Sequence, residues 1–147
     1  MIAVKNNDLT KQRKKSKSGS KKIKPPDQRS HFRLVCFIPA SIKSVIKTSS
    51  GQIIPGEPHN ITICNISGGG VRILTDHFLE IGDRVLVTFK LNDDILILTG
   101  EVRVKFSDPG SVYRYQYGVM FTGLSVKDQD IIYKYLFQEQ TFRVLAD

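Results

Sequence analysis

The sequence has few of the residues that bind metals or cross-link a fold. Of its 147 residues, two are cysteine and three are histidine. Cys36 and Cys64 lie in apolar, strand-like runs without a Cys-x-x-Cys pair, so we interpret both as small buried hydrophobes. The histidines are scattered, with no partner at the spacing of metal ligands. We therefore expect no metal site and no cofactor.

Long apolar runs are missing as well. No segment has the apolar core of a signal peptide, and none is long enough to span a bilayer. We therefore expect a cytoplasmic protein with reduced thiols and no transmembrane segment.

Acidic residues are scarce at the start of the chain, which makes the charge uneven. Residues 1–28 contain nine Lys or Arg and two Asp, a net of +7, whereas residues 29–147 contain thirteen basic and twelve acidic residues, a net of +1. The first stretch is rich in Lys, Ser and Asn and cannot bury enough apolar surface to offset its ordering entropy. We predict a disordered basic tail and linker over residues 1–28 and a near-neutral folded domain over residues 29–147.

The hydrophobic periodicity of the domain is that of β-strands followed by one helix. Strands are predicted over residues 34–45, 61–66, 71–74, 85–91, 101–106 and 112–121, separated by turns rich in Gly, Pro, Asn and Asp. Short turns between successive strands imply antiparallel pairing, and a closed barrel removes the exposed edges. Ser125 is the predicted helix N-cap, and the apolar stripe expected to pack on the barrel comprises Ile131, Ile132, Tyr135 and Leu136.

Two short motifs carry the functional information. Arg29-Ser-His-Phe-Arg33 places two guanidinium groups four residues apart, just after two prolines. Asn65-Ile-Ser67-Gly-Gly-Gly70 places a carboxamide, a hydroxyl and three glycines on one turn. Arginine forks bind phosphate or the O6 and N7 atoms of guanine and stack on purines, while glycine allows close backbone approach. Together the motifs suit a flat, anionic ligand such as a guanine nucleotide.

Each motif also has a simpler interpretation. The two arginines can be a solvated charge pair at a domain edge, and the second motif can be an ordinary Asx-type turn between strands. Gly118 can be a strand glycine that relieves crowding. We interpret Arg72 and Arg103 as exposed strand charges and not as ligand contacts.

Both motifs resemble those of the PilZ domain family, the bacterial receptor module for cyclic di-GMP. Arg29-x-x-x-Arg33 matches the family's RxxxR motif, and Asn65-x-Ser67-x-x-Gly70 matches its (D/N)xSxxG motif. The Leu79-Glu-Ile-Gly-Asp83 turn and the Tyr117-Gly-Val-Met-Phe121 segment are also similar to it. The resemblance covers residues 29 to about 140 and leaves the basic tail outside.

The resemblance implies a six-stranded antiparallel β-barrel with a C-terminal helix, no catalytic activity, and cyclic di-GMP as the ligand. The two arginines would contact phosphates and guanine edges from the loop that enters the barrel, and this arm would fold down when ligand binds. The second motif would bond a guanine and the nearby backbone. The implied binding residues are Arg29, Arg33, Asn65, Ser67 and Gly70, extended by Gln28, Gly69 and Gly118.

Two positions refine the implied binding. Asn65 stands where Asp is commoner in the family, and its carboxamide offers one uncharged acceptor oxygen, so its bond to guanine should be weaker. Gln28 stands where Arg favours a stacked pair of ligands, so a single ligand is favoured. We also expect a monomer or weak dimer, and, because no second domain is attached, regulation of a partner protein in trans. Members of the family that the chain resembles act in motility, pili, exopolysaccharide synthesis and transcription.

Two other classes of function were weighed against this one. A small barrel can bind RNA or DNA, and the basic tail can attract nucleic acid or another acidic partner. The balanced charge of the barrel argues against nucleic acid as its ligand. An enzyme is not indicated, because no nucleophile, base and orienting group can be named.

Overall fold

Seven strands and one helix make up the part of the chain that the structure describes. The structure is a computed structural model that describes residues 32–54 and 58–146, with side chains as far as Val144. The predicted tail over residues 1–28 lies outside the described residues. The elements are β1 (Arg33–Ile46), β2 (Ile53–Ile54), β3 (His59–Ser67), β4 (Gly70–Thr75), β5 (Arg84–Leu91), β6 (Asp94–Phe106), β7 (Tyr115–Thr122) and α1 (Val126–Ala146).

Six of the strands close into an antiparallel barrel. The strands are ordered β2-β1-β3-β4-β7-β6-β5, and β1 also pairs with β5, which closes the ring. β1 can take part in both pairings because it is 14 residues long and shifts register twice, between Val35 and Ile38 and between Ile42 and Ser44. Such bulges bend a strand and increase its twist. The prediction of a six-stranded antiparallel barrel with a C-terminal helix is confirmed.

Alternating side chains from each strand fill the barrel. In β1 the inward residues are Leu34, Cys36, Ile38, Ala40 and Ile42, and the same alternation runs through β5. Burial of these apolar groups is the main stabilising contribution. Cys36 is a buried hydrophobe, as predicted, and burial raises the pKa of its thiol to about 11. Cys64 is only half-buried, so that part of the cysteine prediction is wrong.

Two strand boundaries differ from the sequence-based expectation. β6 begins at Asp94, well before residue 101, because its outward positions include exposed Ile95 and Ile97, which hide the alternation. β7 begins at Tyr115 and not at residue 112. The preceding turn is held by side chains, since the Tyr113 N–H donates to the Ser111 Oγ at 3.1 Å.

The helix begins where the sequence predicts and packs against the barrel. The Asp128 N–H donates to the Ser125 Oγ at 3.0 Å, which confirms the N-cap. Of the predicted apolar stripe, Ile132 and Leu136 are buried in the core, whereas Ile131 and Tyr135 are half-buried. Tyr133 packs against the β3–β4 turn, where a Cβ on Gly68 would lie 2.6 Å from the tyrosine hydroxyl.

A buried ion pair joins the end of β1 to the turn before β5. The Asp83 side chain is fully buried and accepts hydrogen bonds from the Lys47 ammonium and from the backbone N–H groups of Thr48 and Glu80. Burial alone would raise the pKa of Asp83, but these bonds outweigh burial and hold it below its ordinary value of 3.8. The ionised carboxylate therefore stabilises this junction.

Loss of the Asp83 carboxylate should destabilise the barrel strongly. We expect Asp83→Ala to lower the free energy of unfolding by about 3–5 kcal/mol, because the Lys47 ammonium loses its buried partner and keeps only the exposed Glu80 carboxylate. Urea denaturation at neutral pH measures this. The control is Asp93→Ala on the exposed β5–β6 turn, with an expected change within about 0.5 kcal/mol. Equal effects for the two variants would contradict the assignment.

The same pair has a defined acid dependence. Because folding lowers the pKa of Asp83, its contribution is complete above 3.8 and is lost as the pH falls through the lower folded value. The difference in stability between wild type and Asp83→Asn should therefore shrink below about pH 4.

Gly70 allows β4 to approach β7 closely. A Cβ at this position would lie 2.2 Å from the Val119 carbonyl oxygen, a distance that side chains do not tolerate. The adjacent Gly69 is exposed, and a Cβ there would meet nothing within 4 Å. Its carbonyl accepts a backbone hydrogen bond from Phe121, which continues the contact with β7.

These two glycines form a matched pair for mutation. We expect Gly70→Ala to lower the free energy of unfolding by about 1–3 kcal/mol, since the backbone must shift to admit the methyl group. Gly69→Ala should change it by less than about 1 kcal/mol. Urea denaturation of both variants measures these changes. A loss of stability in Gly69→Ala as large as that in Gly70→Ala would refute the close-approach explanation.

Candidate functional site

The antiparallel pairing of β1 with β3 brings one end of each motif together. Arg33, the first residue of β1, pairs with Ser67, the last residue of β3. Two residues further along, Val35 pairs with Asn65. Arg33 is exposed, so its guanidinium is accessible to a ligand beside the β3–β4 turn. Arg29 and Gln28, the other predicted residues of this segment, lie outside the described residues.

Ser67 shapes the turn on which the second motif lies. Its side chain is buried, and its Oγ accepts the Gly69 N–H at 3.2 Å and donates to the Gly70 carbonyl at 3.4 Å. This is a serine-based turn, in which the hydroxyl replaces a backbone partner. The Asx-type turn considered for this segment is thus formed by Ser67 and not by Asn65.

Asn65 keeps its carboxamide available. It is half-buried and makes no side-chain hydrogen bond to any other described residue. It lines an open cavity of about 320 Å³ on the outer face of the barrel. The cavity is bordered by Val35, Phe37, Cys64, Asn65, Arg72, Leu74, Asp108, Ser111 and Gln116.

Arg72 lies in the same cavity, which sequence reasoning missed. It pairs with Asn65 across the β3–β4 hairpin, and it is half-buried, not exposed as expected. Its guanidinium carbon lies 3.8 Å from the centre of the Phe106 ring, and its Nη1 donates to the Gln116 Oε1 at 3.4 Å. Counting residues back across the two-residue turn at 68–69 would have placed Arg72 beside Asn65. Arg103 is exposed, as predicted.

Gly118 leaves the space in which the Phe106 ring packs against Arg72. It pairs with Arg72 in the β4–β7 ladder, and a Cβ on Gly118 would lie 3.3 Å from the Phe106 ring. The glycine thus leaves room for the ring on which the guanidinium stacks, in agreement with the crowding interpretation.

The histidines are less scattered than the sequence suggested. The rings of His59 and His77 stack with their centres 3.7 Å apart. Burial, and then the neighbouring His77, lower the pKa of His59. Within residues 32–54 and 58–146, no three His, Cys, Asp or Glu side chains form a cluster able to hold a metal ion. No helix in that part of the chain is long and apolar enough to cross a membrane.

Comparison with solved structures supports the fold. The Bacillus subtilis inhibitor of motility, MotI/DgrA, is 19% identical with a TM-score of 0.62, covering 80% of this chain and 56% of that one. The PilZ domain with c-di-GMP of YcgR from Escherichia coli is 15% identical with a TM-score of 0.55, covering 82% and 98%. The MrkH–c-di-GMP complex of K. pneumonia is 18% identical with a TM-score of 0.61, covering 78% and 53%.

Two further comparisons concern the sequence. No curated protein matches it, and the chain spans about half the length of MotI/DgrA. A model of the family described as the PilZ domain matches residues 27–138, which include both motifs. Because this match extends over well more than half of the sequence, the chain belongs to the PilZ domain family.

Proposed function

We propose that this protein is a receptor for cyclic di-GMP that regulates a partner protein and has no catalytic role. The observation that carries the proposal is the β1–β3 register, in which Arg33 faces Ser67 and Val35 faces Asn65. This register brings the Arg33 guanidinium close to the turn that follows Asn65. Among the described residues, neither the Arg33 guanidinium nor the Asn65 carboxamide has a side-chain partner. The ligand carries two phosphates and two guanines, and it needs both kinds of group.

Each described residue of the site has a distinct proposed role. Arg33 contacts a phosphate or a guanine edge, because its planar fork suits either acceptor. Asn65 accepts from, or donates to, a guanine edge from the cavity wall. Ser67 holds the turn, and the backbone at Gly69 and Gly70 approaches the ligand without side-chain obstruction.

The rest of the predicted binding set remains a proposal from sequence. Arg29 stands four residues before Arg33 and would supply a second cation, and Gln28 would favour a single bound ligand. Gly118 acts in this proposal through the Phe106 ring and Arg72, and not by touching the ligand.

Structural relatives support the choice of ligand. The YcgR and MrkH structures contain cyclic di-GMP, and the B. subtilis relative is an inhibitor of motility. We extend cyclic di-GMP to this chain because its own motif residues stand at the matching positions. Regulation of motility or a related surface behaviour, through a partner in trans, is the corresponding output.

The end of helix α1 offers a route from ligand to partner. The Arg143 Nη2 donates to the Val35 carbonyl at 2.7 Å, two residues from Arg33 and directly opposite Asn65. We propose that ligand binding at Arg33 and Asn65 alters this contact and thereby changes the surface that the helix presents. Cytoplasmic location would accord with this role.

Binding should be direct and should depend on the paired motif residues. Isothermal titration of wild type with cyclic di-GMP is expected to give micromolar or tighter affinity. Arg33→Ala should weaken binding about tenfold to a hundredfold, the cost of a charge-assisted hydrogen bond. Ser67→Ala should also weaken it, since the turn loses its internal bond.

The matched control is Arg84→Ala. Arg84 is an exposed arginine at the start of β5, outside the site, so this substitution removes the same charge without touching the site. Its affinity should equal that of wild type. Tight binding that survives both Arg33→Ala and Ser67→Ala would refute the site assignment.

A second candidate follows from the uneven charge. The net +7 of residues 1–28 favours loose binding of nucleic acid or another acidic partner through the tail. Salt separates the two functions. Single-stranded DNA binding should fall by orders of magnitude between roughly 50 and 200 mM salt, whereas cyclic di-GMP binding should fall far less. Equal salt dependence of both ligands would favour the tail as the binding element.

A further inference from the structure

The cavity next to Asn65 carries charged groups of both signs to which the proposed function assigns no contact with the ligand. Arg72 on β4 and Asp108 in the β6–β7 loop both line it. No ion pair joins these two side chains among the salt bridges of the described residues. The cavity lining therefore offers hydrogen-bond donors from Arg72 and an acceptor from Asp108, and the two side chains do not neutralise each other in an ion pair.

Arg72 is held in a fixed orientation by its neighbours. The Phe106 ring lies 3.8 Å from its guanidinium carbon, and Gln116 accepts from its Nη1. Stacking on an aromatic ring leaves the in-plane N–H donors of a guanidinium available, and it limits the side-chain entropy that a bound ligand would remove. The arginine is thus preorganised for a planar acceptor.

Asp108 has acceptor capacity to spare. Its Oδ1 accepts the Gly110 N–H at 3.1 Å, which fixes the carboxylate in the turn. Its Oδ2 has no hydrogen-bond partner among the described residues. The charges of Arg72 and Asp108 both affect the half-buried thiol of Cys64. Burial raises the pKa of this thiol, the charge of Arg72 opposes the rise, and the charge of Asp108 adds to it. Cys64, Arg72 and Asp108 all line the cavity, so both charged groups lie near this thiol.

The cavity is also suited in size and surface to a purine. Its volume of about 320 Å³ lies at the lower end of the range for small-molecule sites, roughly 300–1,000 Å³. Phe37 lies on its border with 78% of its surface exposed, an unusual position for a phenylalanine without a partner. An exposed aromatic ring offers a stacking surface to a base.

We propose that this cavity is a guanine-selective subsite in which Arg72 and Asp108 read opposite edges of one base. Arg72 donates to guanine O6 and N7, Asp108 accepts from N1–H and the N2 amino group, and Phe37 stacks on the ring. Adenine is disfavoured because it places an amino donor toward Arg72 and has no N1–H for Asp108. The subsite rests on the proposed receptor function and adds a base-specificity determinant to it.

The proposal also accounts for Asn65. An Asp at that position would supply a carboxylate to the guanine Watson–Crick edge, whereas Asn65 supplies a single uncharged oxygen. Asp108, which borders the same cavity from the β6–β7 loop, restores a carboxylate. The charge that the second motif lacks is thereby present in the folded protein.

The test compares three ligands on one set of variants. Cyclic di-GMP, cyclic di-IMP, which lacks the N2 amino group, and cyclic di-AMP are titrated calorimetrically into wild type, Asp108→Ala and Arg72→Lys. Wild type should prefer cyclic di-GMP over both analogues. Asp108→Ala should lose about tenfold or more in cyclic di-GMP affinity and less in cyclic di-IMP affinity, because cyclic di-IMP offers Asp108 only the N1–H bond, so the ratio of the two affinities falls. Arg72→Lys, which keeps the charge and loses the planar fork, should also weaken cyclic di-GMP.

Controls separate recognition from folding and from the receptor function itself. Asp93→Ala and Arg84→Ala remove the same charges at exposed positions outside the cavity and should keep both affinity and ligand ratio. If Arg33→Ala loses binding while Asp108→Ala and Arg72→Lys keep the affinities and ratio of wild type, the subsite is wrong and the receptor stands. If wild type binds no cyclic di-GMP, both proposals fall. An equal fall of the ratio in Asp93→Ala would overturn the subsite as well.

Discussion

The pairing of β1 with β3 is the constraint on which the site depends. β1 belongs to two ladders at once, since it pairs with β3 from Arg33 to Ile42 and with β5 from Ala40 to Ile46. Closure of the barrel therefore fixes the register of β1, and a slip of one residue would turn its core side chains to solvent. The same register holds Arg33 opposite Ser67. Core packing and site geometry are thus set by one set of hydrogen bonds.

Close backbone approach is the second constraint, and it links the motif glycines to the arginine in the cavity. Gly70 lets β4 lie against β7, and Gly118 leaves space above β7 for the Phe106 ring. The ring in turn supports the Arg72 guanidinium. Glycines in this barrel act by what they allow to approach, because neither of these two has a left-handed backbone conformation.

Much of the fold could be predicted because strands and helix starts depend on local sequence patterns, such as alternating apolar residues and an N-cap serine. Alternation identified β1, β3, β4 and β5, and Ser125 marked the start of α1, all within a few residues. The pattern failed in the first half of β6, where Ile95 and Ile97 face outward, because periodicity cannot distinguish an exposed isoleucine from a buried one. It also misplaced the start of β7, because side-chain bonds in the preceding turn delay the ladder.

For the site, the sequence by itself determined which residue types are present and their spacing within each motif: Arg33 at the entrance of the barrel, and Asn65, Ser67 and Gly70 on one turn. Only the tertiary structure decided what stands beside them. Phe37 lies on β1, Arg72 on β4 and Asp108 in the β6–β7 loop, and they border one cavity because of how the strands pair in the barrel. The physical reason is that motif spacing reflects local turn geometry, whereas contacts between strands depend on register, bulges and closure, which are properties of the whole sheet.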